Sequence, residues 1–168
     1  MRPVNFRLLL KRFCPFLFCL FLILCSLLPF HFLPYYSYSV LWVFVPIFYF
    51  AIYGPKYLGV GSVFLVGLIW ESLVQSPLGV SCFCCVLLFF LANIFRKYFI
   101  EMTFWPLWAI FAAEVLIVLM VQFGLADMLS QVPISFYPVI IEFWILVLSY
   151  PFLMRFCAFL NKRIRESA

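Results

Sequence analysis

Six apolar segments follow one another along nearly the whole chain, and this succession restricts the possible folds more than any other feature. They cover residues 13–33, 36–53, 57–74, 78–95, 104–123 and 135–154. A helix that crosses the hydrocarbon of a bilayer needs about 20 apolar residues, with a range of about 17 to 25. Hydrophobic residues make up 68% of the 168 residues and charged residues only 10%, so a soluble core could not bury this much apolar surface. The sequence therefore predicts an all-α, polytopic transmembrane bundle that forms one integral membrane domain over residues 1–168.

Lysine and arginine occur at every second connection between these segments. With the N-terminus inside the cell, all 11 basic residues take cytoplasmic positions, at residues 2–12, at Lys56, at Arg96 and Lys97, and at residues 155–165. The opposite connections contain no lysine or arginine, and one of them contains Asp127. Cytoplasmic loops of membrane proteins carry such an excess. The pattern predicts six spans with both termini in the cytoplasm.

The first two segments each allow a second interpretation. Basic residues before an apolar run also describe a secretory signal, but the run continues to about Leu33 without a small-x-small cleavage site, so we expect no cleavage. The second segment is short and contains Pro46, which we expect to kink it before Gly54 and Pro55 end it. A re-entrant segment is the alternative for this region.

Three carboxylates fall within the predicted spans, at Glu71, Glu114 and Glu142. Inserting such a group at the centre of a membrane helix costs about 2.5 to 3.5 kcal/mol on insertion scales. An acid within a predicted span is therefore a candidate functional residue. No lysine or arginine lies at the same depth. We expect these acids to be protonated, hydrogen-bonded to polar neighbours or facing a partner. A proton relay is a further alternative, although a relay needs more ionisable groups along its path.

Other patterns give little support for catalysis. Cys82 and Cys85 have the CxxC spacing of thiol redox proteins, so a quinone-linked disulfide oxidase is a candidate function. Such an enzyme needs a second, exposed cysteine pair, and the predicted outer loops contain no cysteine. His31 is the only histidine, so a multi-histidine metal site is excluded. No Ser/His/Asp set, phosphate-binding glycine loop or metal-ligand cluster occurs in the sequence. We predict no catalytic residue, cofactor or metal.

The stretch from Gly67 to Val80 is the most informative part of the sequence about function. Its residues predict a helix that ends at a tight turn. The residue before Pro77 is disfavoured in the α region, and Pro77 suits the first turn of the next helix. We expect Gly79 to let backbones approach closely. Glu71 lies within two turns of the break, where its carboxylate could reach the loop or the N-terminus of the fourth helix. The pattern predicts a helical hairpin with a polar hinge.

This hairpin resembles a known family. An acid at Glu71, followed six residues later by Pro77, Leu78 and Gly79 between the third and fourth spans, is similar to the pattern of the rod shape-determining protein MreD family. The resemblance extends over nearly the whole chain, from the basic N-terminal stub to the basic turn at 96–97. The family usually has aspartate at the position of Glu71, and Phe83, Cys84 and Cys85 depart from its pattern in a helix that is normally aliphatic.

The resemblance implies a non-enzymatic component of the cell-elongation (rod) complex in the bacterial inner membrane, which supports peptidoglycan synthesis and cell shape. The implied partners are an MreC-like bitopic protein, an MreB-like filament, RodA and a class B penicillin-binding protein. The alternative is a substrate-binding membrane subunit of an energy-coupling factor transporter, a class that MreD-like proteins are thought to resemble in fold. Its motivation is the polar set of Glu114, Gln122 and Glu142.

Overall fold

The computed structural model describes residues 6–26, 41–54, 58–74, 79–99, 103–129 and 136–166. These ranges contain seven helices and no strand, which confirms the predicted all-helical fold. The helices are α1 (Phe6–Ser26), α2 (Phe44–Tyr53), α3 (Val60–Val74), α4 (Val80–Ile94), α5 (Arg96–Phe99), α6 (Phe104–Leu129) and α7 (Tyr137–Glu166).

Two of these helices, α6 and α7, are long and apolar enough to cross a membrane. The other apolar helices are shorter, and α2 has only 10 residues, or a length of about 15 Å at 1.5 Å per residue. The hydrocarbon of a bilayer is about 30 Å thick. Large apolar side chains lie exposed along α6 and α7, among them Trp105, Leu148 and Phe152. These surfaces are suited to lipid.

The two short helices α2 and α4 lie at the centre of the bundle. Every residue of α2 from Phe44 to Ile52 is buried, and α2 packs against α1, α4 and α7. α4 packs against α2, α3 and α6. The centre is aromatic: the ring of Phe48 lies 5.1 Å from that of Phe111, which stacks on Tyr150 at 4.3 Å between ring centres. The core is therefore built on the short helices α2 and α4, against which the long helices α1, α6 and α7 pack.

The expected kink at Pro46 is wrong. α2 begins at Phe44, so Pro46 is its third residue and lies in the first turn, where a main-chain N–H has no acceptor within the helix. The missing N–H of proline costs nothing at this position. The part of the predicted second span before residue 41 lies outside the described residues.

A proline inside α7 has a specific compensation. Pro151 lacks the N–H that would bond to the carbonyl of Val147 four residues earlier. The indole N–H of Trp108 on α6 donates to this carbonyl at 3.0 Å instead. The bond joins α6 to α7 and satisfies a main-chain group that could not be left unpaired in lipid.

Candidate functional site

The Glu71 carboxylate lies at the N-terminus of α4. It is 1% exposed, and its two oxygens accept hydrogen bonds from the main-chain N–H groups of Gly79 at 2.8 Å and Cys82 at 3.0 Å. The first N–H groups of a helix have no acceptor within it, and Gly79, the N-cap residue of α4, has no side chain to supply one. A side chain of α3 therefore caps α4, where a negative charge is also favoured by the helix dipole.

Gly79 is required for its backbone conformation and not for close packing. Its φ of 101° lies in the left-handed region, which glycine adopts without steric cost. A Cβ built at Gly79 meets no heavy atom within 4 Å among the described residues. The close approach occurs at Gly67 instead, where a Cβ would lie 2.7 Å from the Cα of Cys82. The expectation that Gly79 allows close approach is therefore wrong, and Gly67 has this role.

The structure thus brings together two of the four predicted hairpin residues, Glu71 and Gly79. Pro77 and Leu78 lie outside the described residues. Gly67 was not predicted as a contact residue, although its spacing of four residues from Glu71 places both on one face of α3.

Glu142 has a similar role at the start of α2. Its carboxylate accepts a hydrogen bond of 3.2 Å from the main-chain N–H of Leu41, in the turn that leads into α2. At the other end of this helix, the guanidinium of Arg96 donates to the carbonyl of Ile52 at 2.7 Å. A negative group at the N-terminus and a positive group at the C-terminus both suit the helix dipole. The short helix α2 is therefore held at both ends by side chains from other parts of the bundle.

Glu114 differs from the other two membrane acids. It is 6% exposed, and neither carboxylate oxygen has a hydrogen-bond partner among the described residues. The hydroxyl of Tyr150 and the side-chain oxygen of Gln122 are also buried without a partner there. Glu114 lies one turn from Phe111, on whose ring Tyr150 stacks. This acid caps no described helix end, and its role is not explained by the fold.

The three members of the polar set that motivated a transport site have different surroundings. Glu142 is engaged with the main chain of Leu41, whereas Glu114 and Gln122 lie on α6 eight residues apart, or about 12 Å along the axis. A substrate site needs polar groups that point at one ligand.

The cysteines of α4 take part in packing. Cys82, Cys84 and Cys85 are free and buried. The Cys82 thiol lies 3.5 Å from a Glu71 oxygen, and the Cys84 thiol donates weakly to the carbonyl of Val118 at 3.9 Å. Within the described ranges, no three His, Cys, Asp or Glu side chains are grouped so as to hold a metal ion. The contacts of these thiols join α4 to α3 and α6.

A family model described as rod shape-determining protein MreD matches residues 6–161. No curated protein and no solved structure matches the chain. The matched range includes the whole α3–α4 hairpin with Glu71 and Gly79, and it begins and ends within the first and last helices. Because the match covers nearly the entire sequence, this membrane protein belongs to the MreD family and has a role in determining rod shape.

Proposed function

We propose that this protein is a non-enzymatic, multi-pass component of the cell-elongation complex in the bacterial inner membrane, where it supports peptidoglycan synthesis by holding partner proteins together. The observation that carries the proposal is the α3–α4 hairpin, closed by Glu71, within a chain of the MreD family. Its partners would be an MreC-like bitopic protein, an MreB-like filament, RodA and a class B penicillin-binding protein.

The hairpin has the properties of a docking platform. The two bonds from Glu71 and the close approach at Gly67 fix α3 against α4. The outer faces of these helices expose apolar side chains, including Phe64 and Leu65 on α3 and Phe83 on α4. Helices associate in a bilayer through close van der Waals packing of such surfaces. A rigid apolar face of this kind suits the single membrane helix of an MreC-like partner.

The proposed topology has six spans with both termini in the cytoplasm. The distribution of lysine and arginine supports this orientation. It places the basic ends of α1 and α7 on the cytoplasmic side, where they could contact an MreB-like filament. The capped ends of α2 and α4 support the presence of short helices within the bilayer, because main-chain groups at helix ends need partners in lipid.

The proposal is tested in a rod-shaped bacterial host that carries this protein. Depletion should produce rounded cells, and a tagged chain purified from native membranes should recover the MreC-like partner. Glu71→Ala should lower that recovery, whereas the control variant Ser149→Ala should not, because the Ser149 hydroxyl bonds to the carbonyl of Leu146 within α7, away from the α3–α4 hairpin. Normal cell shape after depletion, together with absence of the MreC-like protein from the purified material, would rule out the proposal.

A further inference from the structure

The hydroxyl group of Tyr150 lies in the core without a hydrogen-bond partner among the described residues. The side chain is fully buried, with the ring of Phe111 stacked on it and the ring of Phe48 at its edge. A buried hydroxyl that is left unpaired destabilises the folded state, and buried polar atoms nearly always have a partner in the protein or in ordered water. The Tyr150 hydroxyl therefore marks a place in the core where a further hydrogen-bond partner belongs.

Asn161 supplies a second buried atom of this kind on the same helix. Its side-chain N–H donates to the hydroxyl of Tyr49 on α2 at 3.3 Å, whereas its side-chain oxygen has no partner among the described residues. Tyr150, Cys157 and Asn161 are spaced by seven and four residues, so they lie on one face of α7, and all three are buried. A stripe of polar groups therefore follows the contact between α7 and α2.

Two tyrosines of α2 line this stripe. Tyr49 and Tyr53 are one turn apart with 4.9 Å between their ring centres, and both are close enough to the Tyr150 hydroxyl for electrostatic interaction. Tyr53 is partly exposed, at the end of α2 where Arg96 donates to the carbonyl of Ile52. The stripe is therefore accessible at the end of the bundle that the charge pattern places in the cytoplasm. We name the set of Tyr49, Tyr53, Tyr150 and Asn161 the α2–α7 polar cluster.

The Glu114 carboxyl group on α6 is also within electrostatic range of the Tyr150 hydroxyl, and α6 packs against α7. Neither oxygen of this buried acid has a hydrogen-bond partner among the described residues. Glu114, Tyr150 and Asn161 thus present unpaired oxygen atoms along the contacts of α7 with α6 and α2. Water both donates and accepts hydrogen bonds, and an internal water molecule needs about two to four polar partners of this type.

We propose that ordered water molecules lie in the α2–α7 polar cluster and connect Glu114, through Tyr150 and Asn161, with solvent at the basic end of α7. Water supplies the hydrogen-bond donors that the oxygens of Glu114 and Asn161 lack, and it gives the Tyr150 hydroxyl a partner. Glu114 is then the inner end of a hydrated path. This assigns a role to the membrane acid that caps no described helix end.

X-ray footprinting of the full-length chain in lipid nanodiscs tests this site. Hydroxyl radicals formed from ordered water oxidise the adjacent side chains even where bulk solvent has no access, and mass spectrometry locates the products. Tyr150 should be oxidised several-fold more than Trp70, and each of these reactive rings is at most 2% exposed. Phe111, one turn from Glu114, should likewise be oxidised several-fold more than the equally buried Phe44.

Two pairs of variants address the two ends of the path. Asn161→Leu removes the acceptor near the open end and should lower the oxidation of Tyr150 several-fold. The control Phe159→Leu changes an exposed ring in the same part of α7 and should leave it unchanged. At the inner end, Glu114→Leu should lower the oxidation of Phe111 several-fold, whereas Glu114→Gln keeps groups that bind water and should retain most of it.

The native chain alone can overturn the proposal, whether or not the variants fold. Oxidation of Tyr150 only at the level of Trp70 would show that the α2–α7 polar cluster is dry. Oxidation of Tyr150 with Phe111 at the level of Phe44 would show that the water does not reach Glu114. An equal effect of Asn161→Leu and Phe159→Leu, or of the two Glu114 variants, would also contradict the proposed path.

Discussion

At the scale of single residues, two of the three membrane acids have a structural reason to be present. Glu71 accepts hydrogen bonds from two main-chain N–H groups at the start of α4, and Glu142 accepts one from Leu41 in the turn that leads into α2. Such groups find no water in a bilayer, and leaving them unpaired costs several kcal/mol each. Carboxylates in this position therefore offset their own cost of insertion by satisfying donors that an apolar side chain could not satisfy.

Substitution of Glu71 should give a graded loss of stability. Glu71→Ala removes the acceptor for two N–H groups and should lower the free energy of unfolding by about 1 to 3 kcal/mol for each donor. Glu71→Gln keeps one acceptor oxygen, so its loss should be smaller. The measurement is detergent-driven unfolding in mixed micelles, with Ser72→Ala as the unchanged control. Equal stability of Glu71→Ala and Ser72→Ala would contradict the capping role.

The bond between Trp108 and Val147 should depend on Pro151. Trp108→Phe leaves the Val147 carbonyl unpaired and should cost about 0.6 kcal/mol, and no more than about 1.7 kcal/mol, the average and the maximum measured for hydrogen bonds between membrane helices. In a Pro151→Ala background, the restored main-chain N–H bonds to this carbonyl, so the same substitution should cost less. A double-mutant cycle measures the difference.

The control for this cycle is Trp105→Phe. Trp105 is 70% exposed and contacts the rings of Phe104 and Trp108. Its substitution should change the stability by less than about 0.5 kcal/mol in either background. If Trp108→Phe cost the same with and without Pro151, the indole would not be compensating for the proline.

At the scale of helices, three glycines should respond differently to alanine. Gly67→Ala should destabilise most, because its Cβ would lie 2.7 Å from the Cα of Cys82 and the helices would have to separate. Gly79→Ala should cost about 1 to 2 kcal/mol, the penalty for a left-handed residue with a side chain. Gly61→Ala should be neutral, since a Cβ there meets nothing within 4 Å among the described residues.

Unfolding in mixed micelles ranks these three variants. A Gly67→Ala variant as stable as Gly61→Ala would show that α3 and α4 do not touch at this point. A Gly79→Ala variant without loss would show that the turn before α4 has another conformation.

The sequence predicted the hairpin better than the rest of the bundle, and the separation of the partners explains why. Glu71 lies 11 residues from Cys82, so the reach of its side chain to the next helix follows from local spacing. Glu142 lies 101 residues from Leu41, and its contact depends on how α7 packs on α2. Pro46 was misread for a related reason, because the start of α2 is set by packing at residues 41–44 and not by apolar length.

At the scale of the whole molecule, the structure combines short central helices with long outer ones. α6 and α7 have the length and composition to cross a bilayer, whereas α2 and α4 are shorter than the hydrocarbon is thick. Side chains satisfy main-chain groups in the turn before α2, at the C-terminus of α2 and at the N-terminus of α4.

The predicted orientation leads to a labelling pattern in intact cells. Met128→Cys, near the end of α6 and 86% exposed, should react with a membrane-impermeant maleimide, because the adjoining connection lies outside the cell in the six-span topology. Lys97→Cys should react only after the membrane is permeabilised. Both variants are made in a Cys14→Ser/Cys25→Ser background, because Cys25 is only partly buried, whereas Cys19, Cys82, Cys84, Cys85 and Cys157 are buried and should contribute little labelling. Labelling of Lys97→Cys in intact cells would place a basic turn outside, and the proposed cytoplasmic position of the termini would then be wrong.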